Sequence, residues 1–77
     1  MAQGILEGLG GFENLQEYDY CATRIRVTVN DPSKIDENKL KASGALGVFR
    51  PSEKNIQVVI GTKVQFVFDE LKKLASK

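Results

Sequence analysis

Polar and apolar residues alternate from Thr23 to Val29, which places Thr23, Ile25, Val27 and Val29 on one face and Arg24, Arg26 and Thr28 on the other. The pattern predicts a half-buried strand. A β-branched run, Ile56-Gln57-Val58-Val59-Ile60, predicts a second. Leu15 to Asp19 and Leu46 to Phe49 complete a set of four. Helical spacing takes over elsewhere. Ile5, Leu6 and Leu9 share a face in a helix from Ala2 to Leu9, which Gly10-Gly11 ends. The glycine pair reads as a helix stop rather than a phosphate loop, because no helix start follows it. Asp36 is placed to cap a second helix, with Ile35 and Leu40 as a hydrophobic staple and Gly44 as its end. Thr62 and Gln65 form a capping-box pattern ahead of the stripe Val64, Val67, Phe68, Leu71 and Leu74. Turn clusters fall at Asn30-Asp31-Pro32-Ser33 and at Pro51 to Asn55. The order is αββαββα. It predicts one α+β domain over residues 1–77, a four-stranded, mainly antiparallel sheet with three helices on one face.

Composition narrows the chemistry. At 77 residues the chain fits one domain with a modest core. It has one cysteine and no histidine, which excludes an internal disulfide, the usual zinc clusters and catalysis by serine–histidine or cysteine–histidine pairs within the chain. No metal and no cofactor are expected. The net charge of +1 comes from interspersed acids and bases, so a nucleic-acid partner has little support. No apolar run approaches the roughly 20 residues of a membrane span. An unpaired thiol without a signal-peptide pattern points to a reducing cytoplasm. Short charged strands point to a monomer.

Cys21 is where chemistry concentrates. It precedes a strand whose open face begins with Arg24 and Arg26, and nearby positive charge favours the thiolate, the nucleophilic form. Alternate strand residues lie roughly 6 to 7 Å apart, so both guanidinium groups can lean over one spot. They match phosphate oxygens in a two-pronged geometry. Backbone N–H groups of the turn after Cys21 can add an anion-binding concavity, and Thr23 and Gln57 can add hydrogen bonds. Free cysteine is otherwise among the most buried residue types. Paired arginines on a strand can equally be a solvated face. Two other readings stand beside a phosphocysteine site: a non-catalytic α+β binding or regulatory module, and a thiol redox sensor. The second is weakened by the lack of a resolving cysteine.

The segment Asp19-Tyr20-Cys21-Ala22-Thr23-Arg24-Ile25-Arg26 resembles the Asp-x-Cys-x-Thr-Arg-Leu-Arg hallmark of the IIB domain of the bacterial phosphoenolpyruvate-dependent sugar phosphotransferase system, of the glucose, N-acetylglucosamine and sucrose class. Leu9-Gly10-Gly11 with Glu13-Asn14-Leu15, Gly44-Ala45-Leu46-Gly47-Val48 and Gln57-Val58-Val59-Ile60-Gly61 are similar to further stretches of that family. The likeness covers nearly the whole chain. It implies that Cys21 accepts a phosphoryl group from a phosphohistidine on a IIA partner and passes it to a sugar bound in a membrane IIC domain. The missing histidine fits, since the donor histidine belongs to the partner. By the same resemblance Arg24 and Arg26 steady the phosphate and assist its transfer, Thr23 is the motif threonine, and Asp19 positions the turn. The domain would then lie at the inner face of the cell membrane through IIC. The chain departs from the family at Tyr20 and Ala22, which replace alanine and isoleucine, and in the turn Phe49-Arg50-Pro51-Ser52-Glu53-Lys54. Tyr20 is large enough to affect how partners dock.

Overall fold

Strand β2 (Arg24–Val29) and strand β4 (Asn55–Val59) form the centre of the sheet because their alternate residues are apolar and β-branched. Ile25, Val27, Val29, Ile56 and Val58 are all buried on one face. A computed structural model, which describes residues 2–75, adds β1 (Leu15–Tyr20) and β3 (Gly47–Phe49) at the edges. The order is β1-β2-β4-β3 and every neighbouring pair is antiparallel. Helices α1 (Ala2–Gly8), α2 (Glu37–Ala42) and α3 (Val64–Ala75) supply Ile5, Leu40, Val67, Phe68 and Leu71 to the same core. Each such side chain contributes on the order of 1.5–3 kcal/mol when fully removed from water. The expected α+β architecture is the one observed.

Local details follow from the same residues. Helix α1 ends in a Schellman motif. The Gly11 N–H donates to the Leu6 carbonyl (2.9 Å) and the Gly10 N–H to the Glu7 carbonyl (3.0 Å), with Gly10 at φ 96°. Helix α2 ends the same way around Gly44, with Ala45 donating to Leu40 and Gly44 to Lys41. The α2 cap is the expected one: Asp36 accepts from the Lys39 N–H at 3.1 Å, and both Ile35 and Leu40 join the core.

Four expectations change. Thr23 lies outside β2 and is exposed, because the strand's alternation starts one residue later, at Arg24. Strand β4 runs from Asn55 to Val59, one residue earlier than the apolar run, although Ile60 stays buried just past its end. Strand β3 starts at Gly47; Leu46 still donates its N–H to the Val59 carbonyl, but its side chain is 76% exposed. The Thr62–Gln65 capping box does not form. Helix α3 instead starts from a backbone bond, Val64 N–H to the Gly61 carbonyl, and among the described residues neither polar side chain makes a hydrogen bond.

Asn14 is buried to 2% exposure and was not anticipated as a structural residue. Its Nδ2 donates to the carbonyls of Leu9 (2.7 Å) and Asp31 (3.1 Å), and its Oδ1 accepts from the Asp31 N–H (2.8 Å). One amide thus ties the end of α1, the start of β1 and the turn after β2. Full pairing is what makes a buried amide tolerable.

Candidate functional site

The sheet face away from the helices carries the candidate chemistry, and its layout follows from register. Asp19, Arg26, Gln57 and Phe49 lie directly opposite one another in one row across all four strands. The next row holds Arg24, Val59 and Gly47. Cys21 extends that second row. Tyr20 pairs with Ile25, and the Cys21 N–H donates to the Arg24 carbonyl at 2.8 Å. Ala22 and Thr23 therefore form the two-residue tip of the β1–β2 hairpin, with Cys21 and Arg24 as its closing pair.

The tip is held from both sides. The Thr23 carbonyl accepts two hydrogen bonds, from the N–H groups of Ile60 (2.8 Å) and Gly61 (2.9 Å), where β4 turns toward α3. Gly61 takes φ 96°, a conformation glycine adopts without penalty. On the other side, the Tyr20 ring packs against Phe68 of α3 with centroids 4.6 Å apart. Tyr20 thus points toward the helices, away from the arginines, and stays 36% exposed. Its bulk anchors the thiol's turn on the helix side and leaves the arginine-bearing face of the sheet uncovered. These two anchors were not read from the sequence. The signals for them were Gly61 and the aromatic pair Tyr20 and Phe68.

The thiol is exposed and its pKa is lowered from the ordinary cysteine value. The main cause is the Thr23 backbone N–H. The surrounding protein atoms oppose it, and the Arg24 N–H and the charges of Arg26 and Arg24 add to the lowering. The nearest main-chain N–H therefore favours the thiolate more than either guanidinium group does.

Each arginine has its own tether. Arg24 Nη1 donates to Gln57 Oε1 at 2.8 Å, diagonally across β2 and β4. Arg26 Nη2 donates to Asp19 Oδ2 at 3.2 Å across β1 and β2. Asp19 also accepts the Tyr20 N–H on Oδ1 at 2.7 Å, which braces the residue before Cys21. The structure thus brings Cys21, Thr23 and Arg24 into one turn, and places Arg26, Asp19 and Gln57 in the adjoining row. Gln57 engages Arg24 rather than standing free. Further along, the Thr28 hydroxyl donates to Asn55 Oδ1 at 3.0 Å. Among the described residues no cluster of acidic, cysteine or histidine side chains is placed to hold a metal ion, and no helix is long and apolar enough to cross a membrane.

The fold and site together are an α+β sheet with an exposed cysteine at a hairpin tip, where the local main chain and charges favour the thiolate. Comparison with known proteins names the family. Residues 3–36 match the family model described as phosphotransferase system, EIIB. The chain is 46% identical over 70 residues to the N-acetylglucosamine-specific EIIB component of Streptomyces coelicolor, covering 91% of this chain and 90% of that protein. It is 50% identical over 68 residues to the N-acetylglucosamine-specific EIICB component of Bacillus subtilis, covering 88% of this chain. The match spans only 15% of that relative's length. One domain of the IIabc component of a Clostridium difficile phosphotransferase system superposes with a TM-score of 0.81 at 34% identity, covering 94% of this chain and 76% of that one. The chain belongs to the EIIB family of the phosphotransferase system, and the reading as a non-catalytic binding module is not favoured.

Proposed function

We propose that Cys21 is the phosphoryl carrier of this domain and that the open sheet face around it serves the transfer. The observation that carries this reading is the hairpin tip, where the thiol is solvent-exposed, faced by main-chain N–H groups and opposite Arg24 in register. The thiolate attacks the phosphorus of a phosphohistidine on a IIA domain. The S–P bond forms as the N–P bond breaks, and that electron pair returns to the imidazole nitrogen. A sugar hydroxyl held by a IIC domain then attacks the same phosphorus, its proton leaving to solvent and the S–P pair returning to the thiolate. Little covalent chemistry is required beyond positioning and charge stabilisation.

In this scheme the backbone N–H of Thr23 and the Arg24 and Arg26 side chains hold the phosphoryl oxygens. Gln57 keeps Arg24 in place, and Asp19 braces the turn through Tyr20. The relatives support the partners, since their names join the B component to C alone or to C and A. Residues 1–77 would act as one IIB domain at the inner face of the membrane, tethered or docked to IIC, and monomeric apart from these complexes. N-acetylglucosamine, named for both relatives above, is the first sugar to try.

Incubation with a phosphorylated IIA donor followed by mass spectrometry tests the reading. One phosphate should appear and map to Cys21. Equal labelling of Cys21→Ser would overturn it. Arg24→Lys and Arg26→Lys should slow onward transfer to sugar more than they disturb folding, since lysine lacks the planar fork.

A further inference from the structure

The two arginines differ in what holds them. Arg24 is tied to a neutral amide, and a guanidinium with five N–H donors can keep that bond while it binds an anion. Arg26 is tied to a carboxylate, directly opposite it in the β1–β2 register. That carboxylate and a phosphoryl group on Cys21 would be two anions on one sheet face, competing for one cation. The Asp19–Arg26 pair is exposed, with side chains 67% and 52% accessible, so water screens it and it is easily broken. A phosphoryl group brings up to about two negative charges by analogy with phosphoserine. Arg26 stands one alternate position along β2 from Arg24, the residue that closes the Cys21 turn. A rotamer change of this long side chain covers that step.

We propose that Arg26 changes partners in each phosphorylation cycle. It rests on Asp19 in the free thiol state and moves to the phosphoryl group in the phosphocysteine state, so that Asp19 limits how tightly the domain retains its cargo. The proposal rests on Cys21 being the carrier. Asp19 is a positioning residue in it, acting on the phosphoryl group through Arg26. Its second oxygen, which accepts the Tyr20 N–H, has the separate task of bracing the turn. The two tasks can be separated by substitution, because asparagine at position 19 keeps a carbonyl oxygen for Tyr20 and loses the charge.

The test is the equilibrium between a phosphorylated IIA donor and the domain, read as the ratio of phosphocysteine to free thiol. Releasing Arg26 from an exposed ion pair should shift that ratio toward phosphocysteine by about two- to five-fold in Asp19→Asn. The same substitution on an Arg26→Gln background should produce a clearly smaller shift. An equal shift with and without Arg26 would mean that Asp19 acts on the phosphoryl group directly, and would overturn the exchange. So would an unchanged ratio in Asp19→Asn. In the unsubstituted domain, the Arg26 Nε resonance should move on phosphorylation; a stationary resonance also counts against the idea. A domain that takes no phosphate at Cys21 in any form would instead overturn the carrier assignment itself, an outcome distinct from labelled Cys21 with an unmoved ratio.

Discussion

The two faces of β2 and β4 are built from alternate residues of the same ten or so positions, yet they do opposite work. On one face Ile25, Val27, Val29, Ile56 and Val58 are closed off from water and fill the core. On the other, Arg24, Arg26 and Thr28 meet Gln57, Asp19 and Asn55 through exposed hydrogen bonds. The first face holds the fold and the second is free to do chemistry, because pairing among exposed groups adds little stability. A strand is thus a means of fixing polar side chains to the hydrogen-bonded centre of a small protein while keeping them wet.

Substitutions on the two faces should separate these roles. Cys21→Ser should abolish phosphoryl labelling altogether while leaving the unfolding free energy within about 0.5 kcal/mol of the parent, as expected of an exposed position. Ile56→Ala should do the reverse, costing about 2–5 kcal/mol in a urea titration, with labelling per folded molecule retained. If the exposed substitution unfolded the domain, or the buried one spared it, the division between the faces would break down. Asn14→Ala should cost about 1–3 kcal/mol by leaving the Leu9 carbonyl and the Asp31 N–H without their partner. Gln57→Ala should change stability little and slow transfer by about two- to ten-fold, the worth of one hydrogen bond holding Arg24. The smallest effect is on acidity. A lowered thiol pKa means that thiolate forms, and alkylation quickens, at lower pH than for a free cysteine. Arg26→Gln removes a positive charge that favours the thiolate, so the pH of half-maximal alkylation by iodoacetamide should rise. The rise should be slight, because the main-chain N–H of Thr23 is the larger cause.

Much of this division could be read from residue order, and the gaps have physical reasons. Side-chain alternation in Arg24–Val29 identified both faces because a strand's period admits only two directions. The same rule misplaced Thr23, since parity says nothing once the chain enters a two-residue hairpin tip. The residues of the site were all visible, but their pairing was not. Whether Asp19 meets Arg26, and Arg24 meets Gln57, depends on register, and the register of β1 is itself displaced by a bulge at Gln16. Asn14 was opaque for a related reason: a polar residue shows itself as buried only after three distant main-chain groups converge on it. Tyr20 is large enough to affect how partners dock, but its size does not say which way it points. Phe68, nearly fifty residues later, decides where its ring goes.

The carbonyl of Thr23 engages two amides of the segment leaving β4, which couples the thiol's loop to a central strand of the sheet rather than to an edge strand. A loop fastened there is ordered by bonds to the same strand that completes the middle of the sheet. In the proposed transfer, successive donors and acceptors would then meet the same landing place, and the speed of exchange would be set by encounter and chemistry instead of by loop rearrangement.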